Sequence, residues 1–188
     1  IALHRFGNLA IHGINSVLVF HLAQTMGGLS LPSLAAGLFF AVHPVHVDAV
    51  VPLNNRSDLL CTFWLILAFL FWWKARSHKG ALIALILGAI APFSKEQGVI
   101  FPALMALPIL CAFWNKEKLP AWRWWWLAGG IATTGGVILL RMHLLDTLVP
   151  SSISPSDNPM VLAGGPGRIL TPGVLFIKAW KLLLFPVS

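Results

Sequence analysis

The 188-residue chain is 57% hydrophobic and only 10% charged, with a mean hydropathy of +0.81. A soluble domain of this size has too little interior for so much apolar side chain, so the composition excludes a soluble protein and points to a bilayer. The formal charge of +7 would suggest nucleic acid in a soluble protein, but here Lys and Arg fall mostly in short connections between apolar runs and read as topology signals.

The chain begins with Ile1, has no positively charged leader before a cleavage site, and stops at Ser188 without a flanking anchor, so it is expected to be an internal segment of a longer protein. Apolar runs cover residues 6–24, 29–42, 59–73, 81–93, 98–114, 122–140 and 174–187. None alternates with period 2, which excludes a membrane barrel and predicts an all-α polytopic helix bundle of about seven apolar helices. A crossing needs about 20 residues, so 29–42 and 81–93 are short. A re-entrant hairpin of 81–93 and 98–114 satisfies the same charge pattern as two spans. Cys61 and Cys111 lie inside apolar runs without paired or metal-type spacing and read as small buried hydrophobes.

Residues 25–28, Thr-Met-Gly-Gly, predict a tight turn between antiparallel helices, because Gly supplies positive φ at little cost. Lys74, Arg76 and Lys79 follow the third run, and Lys116, Lys118 and Arg123 surround the connection from fifth to sixth. Both loops, 74–80 and 115–123, are therefore expected on the cytoplasmic side together with 25–28. Trp72, Trp73, Trp114, Trp122, Trp124, Trp125 and Trp126 gather beside the same loops, as rings anchoring at one interface would. Counting crossings then places 43–58, 94–97 and the long loop 142–172 together on the external face. That loop is rich in Ser, Pro and Gly and reads either as a lid or as a solvated connector.

Ionisable groups away from the basic loops are few, and in a bilayer each is a functional candidate. Pro44 suits the first turn of a helix that Pro52 would stop, so His43 and His46 can share a face of a short element. For His43, His46 and Asp48 three uses stay open: structural hydrogen bonding, a metal site, or contact with a polar substrate. The spacing matches no zinc motif. Asn55 or Ser57 can cap the next helix, with Asp58 in its first turn. Arg56 and Lys95 are cations at the membrane boundary and call for an anion, either Asp58 and Glu96 or a phosphate. Glu96, beside Lys95, suits pairing or substrate orientation better than a base with a raised pKa. Gln97 adjoins them, and Asp157, Asn158, Arg168 and Arg141 can close over the same face. His12, Asn15 and His21 dot the first run and read as helix-packing polar groups.

Three blocks now stand out: Phe40-Ala41-Val42-His43-Pro44-Val45-His46-Val47-Asp48-Ala49-Val50, Asn55-Arg56-Ser57-Asp58-Leu59-Leu60, and Ser94-Lys95-Glu96-Gln97-Gly98. Together with Asp157-Asn158-Pro159, Arg168-Ile169-Leu170-Thr171 and Lys181-Leu182-Leu183-Leu184-Phe185-Pro186, the chain resembles the transmembrane-and-tetratricopeptide-repeat O-mannosyltransferase family and its bacterial relatives, of the C-type glycosyltransferase superfold. Asp48, where relatives often carry Glu, and the Asn54-Asn55 pair depart from the pattern.

The resemblance implies transfer of a sugar, mannose in eukaryotic members, from a polyprenyl-phosphate carrier to a protein hydroxyl on the luminal or periplasmic face, with no further cofactor and no nucleic acid. It places the catalytic base on an external loop before Ile1. On that reading His43, His46, Asp48, Arg56, Asp58, Lys95, Glu96, Gln97, Asp157, Asn158 and Arg168 would contact donor or acceptor. The membrane would be the endoplasmic reticulum in a eukaryote or the inner membrane in a bacterium. A secondary transporter with a broken helix near Ser94–Gln97, and a non-catalytic membrane scaffold, fit the same pattern of charges.

Overall fold

A computed structural model of the chain describes residues 2–145 and 165–184. Among these every regular element is helical: α1 Ala2–Gly27, α2 Ser30–Val42, a 3₁₀ turn Pro44–His46, α3 Val47–Val50, a 3₁₀ turn Leu53–Asn55, α4 Arg56–Lys74, α5 His78–Ser94, a 3₁₀ turn Glu96–Ile100, α6 Phe101–Trp114, α7 Trp122–Leu145 and α8 Gly165–Leu184. Among the described residues all seven apolar runs are therefore helical. Among the described residues four stretches are long and apolar enough to cross a bilayer, His4–Gly27, Arg56–Lys74, Glu96–Trp114 and Trp122–Leu144, with a fifth if α2 and its continuation, bent by 46°, count as one span. This is an integral membrane chain.

The predicted loop 142–172 is partly helix: α7 runs on to Leu145 and α8 already begins at Gly165. The chain divides into two units, residues 1–140 and residues 141–188. The second contains α8, whose Phe176 and Trp180 rings, one turn apart, stand 6.1 Å from each other.

Contacts at both ends fix the α4–α5 hairpin. At one end Lys95, just past α5, pairs with Asp58 in the first turn of α4. At the other, Arg123 Nη2 donates to the Ala75 carbonyl at 2.9 Å and Trp126 Nε1 to His78 Nδ1 at 3.0 Å. Helix α5, 17 residues long, thus runs antiparallel along α4. The basic loops 74–80 and 115–123 meet at that second end. Gly28, with φ +73°, turns α1 into α2 as the Gly pair predicts.

The core is built where glycine lets α6 approach its neighbours. Gly98, Phe101 and Met105 share one face of the turn and helix. Gly98 lies against the Ala91–Pro92 backbone, the Phe101 ring covers Gly88 of α5, and a Cβ on Gly130 of α7 would stand 2.5 Å from Met105 Sδ. Ala68, Phe69 and Trp72 of α4 and Ala81 and Ala84 of α5 close this cluster. Trp72 departs from the expected interfacial belt. It is fully buried, because its indole N–H finds the Met105 carbonyl at 2.8 Å and needs no water. Trp114, Trp124 and Trp125 do stay exposed. Cys61 is buried as expected, whereas Cys111 is exposed on the outer face of α6.

Candidate functional site

Two prolines break the chain between α2 and α4, and the site is built around the repair. Pro44 has no N–H, and the Val45 N–H donates to His43 Nδ1 at 3.2 Å, so the Ala41 carbonyl lacks its helical donor. Pro52 likewise stops α3 and leaves the carbonyl of Val50, its last residue, past the end of the helical ladder. In a bilayer such groups must be satisfied by the protein. Helix α1 supplies the donors. Asn8 Nδ2 donates to Val50 O at 3.2 Å and to Pro52 O at 3.1 Å, His12 Nε2 lies 3.1 Å from Ala41 O, and Asn15 Nδ2 donates to Leu59 O at 3.0 Å. Spaced four and three apart, Asn8, His12 and Asn15 form one buried stripe. The helix-packing role expected of His12 and Asn15 has this definite form. Asn8 was not among the expected residues, although its spacing from His12 and Asn15 is the signal that would have found it.

Asn8 also reaches the charged residue at the start of α4. Arg56 Nε donates to Asn8 Oδ1 at 3.0 Å, and Nη2 donates to the His4 carbonyl at 3.0 Å. Its partners are thus neutral, not the acids Asp58 or Glu96. Asp58 is taken by Lys95 Nζ at 2.5 Å, with both side chains half-buried. Among the described residues Arg56 has no acidic partner. Asn55 precedes α4 as expected but does not cap it; its Nδ2 donates instead to the Asp48 carbonyl at 2.6 Å, tying the short helix to the start of the long one.

His43 is buried, 4% exposed, with Nδ1 spent on Val45 N–H, which gives it a structural task at the bend. His46 packs on Phe40 at 4.2 Å and on His12 at 5.2 Å between ring centroids. The side chains of Asp48, Glu96 and Gln97 are exposed. Among the described residues no three His, Cys, Asp or Glu side chains converge as metal ligands. Asp157, Asn158 and the Arg168 side chain lie outside the described residues. The structure therefore gathers Arg56, Asp58 and Lys95 at one end of the bundle, joined to the Asp48 and Val50 carbonyls through Asn55 and Asn8, while His46 meets α1 at the His12 ring.

Relatives carry the same segment. Protein O-mannosyl-transferase TMTC4 of Mus musculus is 33% identical over 83% of this chain and 27% of its own length. Protein O-mannosyl-transferase TMTC3 of Homo sapiens is 27% identical over 94% of the chain and 22% of its own length, and protein O-mannosyl-transferase tmtc2 of Xenopus laevis 30% over 81% and 20%. The chain belongs to the transmembrane-and-tetratricopeptide-repeat O-mannosyltransferase family. It spans about a quarter of the length of the O-mannosyltransferases it matches. No protein-family model matches the chain. No solved structure matches it.

Proposed function

We propose that this segment forms the donor-phosphate end of a membrane protein O-mannosyltransferase, using a polyprenyl-phosphate-linked sugar on the face opposite the basic loops. The face would be luminal in the endoplasmic reticulum or periplasmic at an inner membrane, and the acceptor a protein hydroxyl. The observation that carries the reading is Arg56: a cation at the boundary, held by neutral groups, with no acid of its own among the described residues. An unpaired charge there is costly, and a lipid phosphate supplies the missing anion. Lys95, whose charge Asp58 already meets, is the secondary contact.

In the reaction the bond between the sugar's anomeric carbon and the phosphate oxygen breaks, and polyprenyl phosphate leaves with the electron pair. The acceptor oxygen bonds to that carbon while a base takes its proton. Arg56 beside the phosphate stabilises the charge that grows on the leaving group. Asp48, Glu96, Gln97 and His46 are the exposed or half-exposed polar groups that orient sugar or acceptor at this end. The family resemblance assigns the base to an external loop before this segment.

The test uses the full-length parent in liposomes with labelled polyprenyl-phosphate-mannose and a panel of acceptor proteins. Arg56→Ala is expected to weaken carrier affinity by about tenfold or more, the worth of a charge-assisted bidentate contact, and Lys95→Ala by less. Unchanged affinity in Arg56→Ala sinks the phosphate assignment. A folded parent that transfers from no donor points to a transporter, to be followed by substrate flux.

A further inference from the structure

Arg56 is posed, and the pose selects which part of its guanidinium can meet a ligand. The Nε–H faces Asn8 Oδ1 and Nη2 faces the His4 carbonyl, so the side edge of the fork is consumed by α1. Among the described residues Nη1 makes no hydrogen bond. Asn8 is fully buried and uses both functions of its amide: the NH₂ holds the Val50 and Pro52 carbonyls and the oxygen holds Arg56. Gly7, one residue earlier, gives the guanidinium its seat, since a Cβ there would stand 3.1 Å from Nη2 and 3.7 Å from Cζ.

We propose that Asn8 and Gly7 are positioning residues for the donor phosphate: they fix the Arg56 fork so that its Nη1 end, the end-on edge, takes the anion. This rests on the reading of Arg56 as the phosphate contact. Asn8 couples two events through one amide. A ligand that pulls on Arg56 pulls on the 50–52 turn, which carries the same stretch as His46 and Asp48. Arginine recognises phosphate through parallel N–H groups, so a fork turned by a few tenths of an ångström loses one of two bonds.

The experiment uses the full-length protein in nanodiscs and polyprenyl monophosphate as the probe, with Asn8→Ala, Gly7→Ala, Arg56→Ala and the double Asn8→Ala/Arg56→Ala. Asn15→Ala serves as a control, a buried amide on the same face that touches Leu59 and not Arg56. Asn8→Ala is expected to lose about five- to tenfold in affinity, with the double variant no weaker than Arg56→Ala alone, the non-additivity expected of groups acting as one unit. Gly7→Ala is expected to lose a few-fold while the protein melts no lower, because Ala is the better helix former. A destabilised helix would instead lower both.

The Nε–H of Arg56, followed by ¹⁵N NMR, is expected to be protected from solvent exchange and to lose protection in Asn8→Ala alone among the single variants that keep Arg56 and Gly7. Additive losses in the double variant, or an Nε–H indifferent to Asn8, overturn the proposal. No binding of the phosphate by a wild type whose Nε–H is protected overturns the carrier reading and leaves the clamp standing.

Discussion

Gly98→Ala is expected to cost roughly 3–5 kcal/mol of stability, a value that only backbone clashes and core defects reach. A Cβ at this position would run into the backbone of Ala91 and Pro92, including the Ala91 carbonyl oxygen at 2.8 Å, and backbone cannot swing aside as a side chain does. The 3₁₀ turn Glu96–Ile100 would lift off α5, taking Phe101 from Gly88 and Lys95 from Asp58. Thermal unfolding of the full-length protein in detergent measures it, with Gly135→Ala and Gly136→Ala as controls, since nothing lies within 4 Å of a Cβ at either. If Gly98→Ala melts with the controls, the close approach of α5 and α6 is wrong.

Trp72→Ala is expected to cost about 3–5 kcal/mol, the usual range for emptying a large aromatic site in a core. The indole is fully buried, donates to Met105 O, and lies under the Arg123 guanidinium, 5.3 Å from the ring centroid. Trp72→Phe separates the contributions: it keeps most of the volume and loses the hydrogen bond, for about 1 kcal/mol. Were Trp72 a ring anchored at the interface, Trp72→Phe and Trp72→Ala would both be mild. Equal, small losses in the same unfolding assay would therefore return Trp72 to the belt.

The helices were legible because hydropathy in a bilayer is a strong signal that tertiary packing does not override. Pro44 and Pro52 likewise announced the broken connection, and Gly28 its turn. Trp72 was misread because position beside a basic loop cannot tell a ring facing lipid from one facing α6; that depends on the Met105 carbonyl 33 residues later. Asn55, one of two expected caps, is drawn away from the helix end because the Asp48 carbonyl that holds its Nδ2 comes within reach only once the chain has folded back at Pro52. Arg56 posed the same difficulty. Its pairing looked like a choice between acids and phosphate, whereas its partners are an amide and a carbonyl on a helix about fifty residues upstream. Local chemistry announces that a buried group needs a partner; only topology says which one.

The polar stripe of α1 also sets an order of assembly. Its donors meet acceptors that lie 29 residues later for His12 and 44 later for Asn15. At about 5–20 residues per second of synthesis, the last of these carbonyls is made roughly 2–9 s after the amide that needs it. Helix α1 is therefore made before the carbonyls that its three polar side chains meet in the fold, and hydrocarbon penalises those side chains until the segment up to Leu59 has joined them. For α1, integration into the membrane and tertiary folding are one event.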